Sequence, residues 1–290
     1  MTIFLNGEYM PIEEAKIPVL DRGFIFGDGV YEVIPVYSKR AFRLEEHLHR
    51  LQHSLDGIRL DNPYSMDEWT AIINKLVAAH QDEDQYLYLH ITRGAAKRDH
   101  AFPNPPVSPT VFMMSRPLLS PLTALLESGV CAVTATDNRW LRCDIKSIAL
   151  LPNVLLRQTA VDAGCAETIL IRQGIDGEGD FMTEGAASNI FVVKDGTLIA
   201  PPKDNLMLPG ITYDVILELA AANDIPSLVR KIDVAEVFSA DELLMTSSTK
   251  EVMSITKLDG KPVGTGKPGA MFAKLHPLYQ TFKRDVMRAS

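Results

Sequence analysis

Apolar and polar positions along the chain change period several times, and each change predicts an element. Thr2 to Leu5 runs into Asn6-Gly7, a dipeptide suited to a tight hairpin because both residues tolerate positive φ. Val30 to Tyr37 is β-branched and aromatic and stops at Ser38-Lys39-Arg40, which predicts strand, turn and strand. Leu44, Leu48, Leu51, Leu55 and Ile58 then recur at steps of four and three, the stripe of an amphipathic helix. A second helix is predicted from Met66 to Ala79, with Ser65 as its cap and acids in its first turn. Strands follow at Gln85–Thr92 and Thr110–Ser115.

The stretch Arg116–Leu122, with two prolines, reads as a link between residues 1–118 and 119–290. Beyond it the pattern predicts a strand at Val130–Thr136, a helix at Val154–Ala163 stopped by Gly164, and a strand at Thr168–Ile171. Asn189–Val193 and Thr197–Ala200 flank Lys194-Asp195-Gly196 as a hairpin, and Ile211–Ala222 is a helix introduced by Pro209-Gly210. Ser239-Ala240-Asp241-Glu242 has the form of a capping box, although the short apolar run after it also suits a strand. Asp259-Gly260 closes a further hairpin, and a helix begins at Ala270. Strands and helices mix without strict βαβ alternation, so the expected fold is two α+β or mixed α/β domains.

Composition narrows the class. The 290 residues are 46% hydrophobic and 23% charged, the balance of a globular protein able to bury one or two cores. A net charge of −8, without clustered basic residues, gives no support to a nucleic acid or an anionic membrane as partner. There is no apolar run long enough to span a membrane and no secretory leader pattern, so a cytoplasmic protein is expected. Three cysteines with no C-x-x-C spacing predict neither a disulfide framework nor a zinc site, and favour a reducing compartment. Of His47, His49 and His53, only the last two share a helix face, which reads as solvated surface rather than a metal site.

Familiar nucleotide and hydrolase signatures are missing. Gly23, Gly27 and Gly29 have the wrong spacing for a dinucleotide fingerprint, and there is neither a phosphate loop of the Walker type nor a G-x-S-x-G elbow. Lys146 lies between apolar Trp140-Leu141 and Ile148-Ala149-Leu150-Leu151. Taken alone, such a lysine could lay its stem along apolar surface and keep its head in water. The other reading is a partly desolvated amine, fit for nucleophilic or Schiff-base chemistry. Gly210-Ile211-Thr212 opens a helix whose free N–H groups could hold an anion, and the hydroxyl-rich turn Thr246-Ser247-Ser248-Thr249 could donate to the same group. Glu184 sits among small residues that would let a ring approach the backbone; it also reads as a surface loop acid.

These residues fall into a broader pattern. Asp21-Arg22-Gly23-Phe24, Phe26 to Glu32, Glu46-His47 to Arg50-Leu51, Thr92-Arg93-Gly94, Arg98 to His100, Arg139 to Ser147, Thr183 to Asn189, Gly210 to Thr212 and Thr246 to Thr249 stand in one order over nearly the whole chain. In that order and spacing the chain resembles the class IV aminotransferases, pyridoxal-phosphate enzymes of fold type IV, and within them the D-amino acid aminotransferase branch. The resemblance implies a pyridoxal 5′-phosphate cofactor carried as a Schiff base on Lys146, which would also shift the proton between Cα and C4′. It implies Glu184 at the pyridinium nitrogen, and Arg50, Ile211, Thr212, Ser248 and Thr249 around the phosphate. A buried Arg50 needs an anion, and a phosphate would supply one.

Tyr31, Arg98 and His100 would form the trap for the substrate α-carboxylate, the last two reaching in from a neighbouring subunit, so a homodimer with shared sites is expected. Read by itself, Arg98-Asp99-His100 is a charged loop between strands. Leu208-Pro209-Gly210 resembles the wider family more than the D-specific branch, and the loop from Gln173 to Phe181 is longer, with three glycines and three acids. The expected reaction moves the amino group of a D-amino acid to 2-oxoglutarate or pyruvate. Its rivals are a 4-amino-4-deoxychorismate lyase and a branched-chain or amine transaminase on the same fold.

Overall fold

The computed structural model describes residues 1–174 and 179–289, so the centre of the Gln173–Phe181 loop lies outside the described residues. The chain divides into two compact units. One is Met1–Leu119 with Ile145–Leu150 and Met287–Ser290; the other is Ser120–Asp144 with Leu151–Val286. Among the described residues no helix is long and apolar enough to cross a membrane.

The first unit contains β1 (Thr2–Leu5), β2 (Glu8–Pro11), α1 (Arg22–Phe26), β3 (Gly29–Tyr37), β4 (Arg40–Ala41), α2 (Leu44–Gly57), α3 (Met66–Ala78), β5 (Gln85–Thr92) and β6 (Thr110–Pro117). Among the described residues its strands form one antiparallel sheet in the order β2-β1-β6-β5-β3-β4. Alternation on β5 turns Leu87, Leu89 and Ile91 into the core and leaves Tyr86, Tyr88 and His90 half-buried on the opposite face. Leu48, Leu51 and Leu55 of α2 and Trp69, Ile73 and Leu76 of α3 complete that core. The predicted cap of α3 is present: Ser65 accepts from the Glu68 N–H, and Glu68 accepts from the Ser65 N–H at 2.8 Å. β4 pairs only with Val36 and Tyr37, so the other end of β3 has a free edge. The segment at Lys146 takes that edge.

The second unit contains α4 (Thr123–Ser128), β7 (Val130–Thr136), α5 (Leu151–Asp162), β8 (Glu167–Arg172), β9 (Phe181–Gly185), β10 (Asn189–Lys194) and β11 (Thr197–Ala200). It continues with α6 (Ile211–Ala222), β12 (Ser227–Val229), β13 (Ile232–Asp233), α7 (Val234–Phe238), β14 (Glu242–Ser247), β15 (Glu251–Leu258), β16 (Lys261–Pro262) and α8 (Ala270–Phe282). Its sheet runs β12-β11-β10-β14-β15-β7-β8-β9-β13, with β16 beside β15. The β7–β8, β7–β15 and β11–β12 pairs are parallel and the others antiparallel, giving the mixed α/β architecture expected. Ile190, Val192, Leu243, Met245 and Ile255 lie at its centre, fully or nearly fully buried.

Three local expectations change. α5 begins at Leu151 rather than Val154, because Pro152 in a first turn gives up an N–H that the helix does not need. Ser239–Glu242 caps no helix: Glu242 opens β14, and its carboxylate accepts from the N–H groups of Met271 (2.6 Å) and Phe272 (3.0 Å) at the start of α8. Cys131 and Cys165 form a disulfide, against the expectation of unpaired thiols. Their Cα atoms lie 4.9 Å apart because β7 and β8 are neighbouring parallel strands, a proximity that a separation of 34 residues conceals.

Candidate active site

Lys146 is placed by backbone pairing. The Tyr31 N–H donates to the Lys146 carbonyl (3.0 Å) and the Ile148 N–H to the Gly29 carbonyl (3.1 Å), with a bridge between Val30 and Ser147. Gly29 permits this approach, since a Cβ there would strike the Ile91 carbonyl and the Ile148 side chain. On the α2 side, the Lys146 N–H donates to Ser54 Oγ at 3.1 Å. The side chain is half-buried, and its Nζ stands 4.3 Å from the centre of the Tyr31 ring. Among the described residues Nζ has no hydrogen bond or ion pair, and its nearest aromatic neighbour is the Tyr31 ring.

Arg50 points inward from α2, and its anion partner in the structure is Glu32, a residue that the sequence pattern did not single out. Glu32 accepts from Arg50 Nε (2.7 Å) and Nη2 (2.8 Å), and its second oxygen lies 2.8 Å from His47 Nδ1. The phosphate is therefore not needed to explain why Arg50 is buried. Burial alone would raise the Glu32 carboxyl, but Arg50 and His47 outweigh it and hold the group well below the usual carboxylate range. Burial pushes His47 below its usual value against the pull of Glu32, and the charges of Arg50 and Lys146 add to the fall. His49 and His53 are exposed.

Arg98 and His100 lie exposed in the connection between β5 and β6. The Phe26 ring lies 5.4 Å from the Arg98 guanidinium carbon and 5.4 Å from the His100 ring. Tyr31 faces the opposite side of β3 from Glu32 and stacks at a tilt on Tyr88, 5.8 Å between centres.

In the second unit Glu184 is a buried strand residue of β9, not a surface loop acid. One oxygen accepts from Arg139 Nη1 (2.6 Å) and the Leu208 N–H (3.2 Å); the other accepts from Asn189 Nδ2 (3.2 Å). Arg139 is shared, because its Nε and Nη2 donate to Asp137 at 2.9 and 3.0 Å. Burial pushes the Glu184 carboxyl up to about 7; Arg139 and the Leu208 N–H oppose the rise, and the Asp137 charge adds to it.

Ile211 and Thr212 are buried in the first turn of α6, whose cap residue Gly210 has no side chain to satisfy the first N–H groups. A Cβ on Gly210 would collide with the Asn189 amide, so glycine lets α6 begin against the same Asn189 that holds Glu184. Ser248 and Thr249 are half-buried in the turn between β14 and β15. Thr246, just before it, buries a hydroxyl that has no hydrogen-bond partner among the described residues.

Glu32, His47, Asp137 and Arg139 escaped notice as working groups. The one available signal was positional: Glu32 alternates with Val30 and Ile34, the inward side of β3, and an inward carboxylate requires a cation.

A family model described as amino-transferase class IV matches residues 29–258. A D-alanine aminotransferase of Staphylococcus epidermidis is 40% identical over 280 residues, covering 97% of each chain. Another, of Bacillus licheniformis, is 39% identical over 271 residues and 93% of each chain. Among solved structures, the branched-chain amino acid aminotransferase of Escherichia coli superposes with a TM-score of 0.87 at 27% identity, over 99% of this chain and 94% of that one. The branched-chain aminotransferase of the archaeon Thermoproteus uzoniensis, with norvaline, gives 0.84 at 27% identity, over 99% and 95%. The chain belongs to the class IV aminotransferases.

Proposed function

We propose that this protein is a pyridoxal 5′-phosphate-dependent transaminase that moves the amino group of a D-amino acid, such as D-alanine, to 2-oxoglutarate or pyruvate in a ping-pong cycle. The observation that carries the reading is Lys146: an amine fixed by backbone pairing to β3, set over Tyr31, with no ion pair to hold it among the described residues. The side chains fit the cofactor. Glu184 is a buried carboxyl with its pKa pushed up to about 7, suited to share a proton with a ring nitrogen. The unpartnered Thr246 hydroxyl and the uncapped start of α6 suit a phosphate.

When bound, the cofactor supplies an electron sink for the pair left at Cα. Lys146 would hold the cofactor and, with its amine freed, would take the proton from Cα and deliver it to C4′. Glu184 would keep the ring nitrogen protonated, with Arg139, which donates to its carboxylate, fixing its orientation. Arg50, Ile211, Thr212, Ser248 and Thr249 would hold the phosphate, and Glu32 fixes the Arg50 side chain by engaging two of its nitrogens. Tyr31, Arg98 and His100 grip the substrate α-carboxylate, the last two from a second copy of the chain. The exposure of the apolar Val19 (75%) and Phe24 (73%), which flank Arg22 in sequence, supports such a homodimer. A cytoplasmic location is part of the proposal and rests on the sequence pattern alone, since the Cys131–Cys165 disulfide removes the argument from unpaired thiols.

The preference for D-amino acids rests on the relatives of about 40% identity and on these three residues. Purified holoenzyme mixed with D-alanine should bleach to the pyridoxamine spectrum and form pyruvate, whereas L-leucine should leave the spectrum unchanged. A response to L-leucine alone would give the branched-chain reading that the solved neighbours favour. Pyruvate released from 4-amino-4-deoxychorismate, with no bleaching by D-alanine, would establish the lyase. Lys146→Ala should abolish the long-wavelength cofactor band; its survival would refute the assignment of Lys146.

A further inference from the structure

Arg22 is almost fully buried, yet it belongs to neither the cofactor set nor the carboxylate trio. Its Nε donates to Asp28 Oδ2 at 2.7 Å. Its Nη1 donates to the carbonyls of Asp99 (2.6 Å) and Ala101 (3.2 Å), and its Nη2 to the carbonyl of His100 (3.4 Å). One guanidinium thus holds three successive carbonyls of the segment that carries Arg98 and His100. The same Asp28 oxygen accepts from Arg93 Nε at 2.8 Å, and Arg93 in turn donates to the carbonyls of Ile58 (2.7 Å) and Arg59 (3.1 Å). The Phe102 ring, just past the segment, lies 3.8 Å from the Arg93 guanidinium carbon. Burial resists charge on Asp28, yet Arg93 and Arg22 hold its carboxyl below the usual range, so it is an anion at neutral pH.

Residues 97–101 are exposed and bury no apolar side chain of their own. Hydrophobic packing cannot order them, so the Arg22 bonds, with one local bond from the Ala101 N–H to Asp99 Oδ1 (3.2 Å), hold the backbone from which Arg98 and His100 extend. The Phe26 ring adds a floor shared by the cations of Arg22, at 4.9 Å, and Arg98, at 5.4 Å.

We propose that Arg22, anchored by Asp28, is the positioning residue for carboxylate capture: it presets the 98–101 segment so that a substrate carboxylate meets the Arg98 and His100 side chains on an ordered backbone. This rests on the reading of Arg98 and His100 as the carboxylate grip. The role is confined to binding, because Arg22 addresses the backbone of the grip and none of the groups that hold the cofactor or move protons. It therefore predicts a split between KM and kcat.

The test uses holoenzyme. Arg22→Lys keeps a cation for Asp28 but cannot reach three carbonyls with a single ammonium. It should raise KM for D-alanine and for the 2-oxo acid tenfold or more, keep kcat within twofold, and speed deuterium exchange of amides 98–103. The cofactor band and its dissociation constant should not change. Phe26→Leu, at a half-buried site that tolerates the change, should act in the same direction with a smaller rise and carries the test if Arg22→Lys fails to fold. Arg98→Met checks the underlying reading. If Arg98→Met raises KM while both other variants leave KM and exchange unchanged, the positioning role of Arg22 is overturned and the grip stands. If Arg98→Met leaves KM unchanged, the grip itself is wrong. A fall in kcat with constant KM in Arg22→Lys also overturns the proposal.

Discussion

Glu32 in the first unit and Glu184 in the second are both buried carboxylates, 0% and 4% exposed, and each touches an arginine. They nevertheless titrate in opposite directions. Glu32 takes two nitrogens of Arg50 and faces His47, and so stays charged far into acid. Glu184 receives one nitrogen of Arg139, whose other donors serve Asp137, and the Asp137 charge works against it. The contrast teaches that burial does not fix the state of a carboxyl; the share of a cation that it commands does. Glu32 is a permanent anion that orients Arg50, whereas Glu184 can exchange a proton near neutrality. These are the roles the proposed chemistry asks of a scaffold and of a ring-nitrogen partner.

The comparison is most severely tested at Glu32. Glu32→Gln leaves Arg50 buried without its anion and should cost about 3–5 kcal/mol in chemical denaturation. The second test concerns pH. The Glu32 carboxyl is lowered in the folded state, so its stabilisation is present above about 4.5 and is lost as pH falls further. The Glu184 carboxyl is raised from 4.5 to about 7, so its contribution is present below about 4.5 and is lost as pH rises to about 7. Denaturation of cofactor-free protein from pH 4 to 8 should show a loss of about 3 kcal/mol from this group, removed by Glu184→Gln. Equal slopes in the parent and Glu184→Gln would contradict the assignment. The smallest effect belongs to Asp137→Asn, which leaves Arg139 with one carboxylate. It should draw the Glu184 carboxyl down and reduce that slope by about 1 kcal/mol, measured the same way.

Much of the fold was legible because periodicity reports which side of an element is buried. β5, β7 and α6 have the bounds their apolar patterns predict, and Ser65 with Glu68 makes the cap of α3. What remained hidden depends on partners far apart in sequence. No spacing links Glu32 to Arg50, Cys131 to Cys165, or Glu242 to the start of α8. Lys146, the main candidate in the sequence, emerged through its resemblance to a family, since a lysine among apolar residues reads equally well as a solvated stem. Its pairing with β3 is a property of tertiary structure. Arg22 stood in a recognisable motif without a role, because its partners are carbonyls and carbonyls have no sequence signature.

The free edge of β3 has a consequence for the order in which the protein can be made. The first unit's sheet uses residues from Thr2 to Pro117, but Gly29 and Tyr31 obtain their outer hydrogen bonds only from Lys146 and Ile148. A growing chain that has passed its first 119 residues therefore still lacks both the closing segment and the reactive amine. Synthesis must proceed into the second unit before the edge of β3 can be sealed, and the lysine enters its place in the same event.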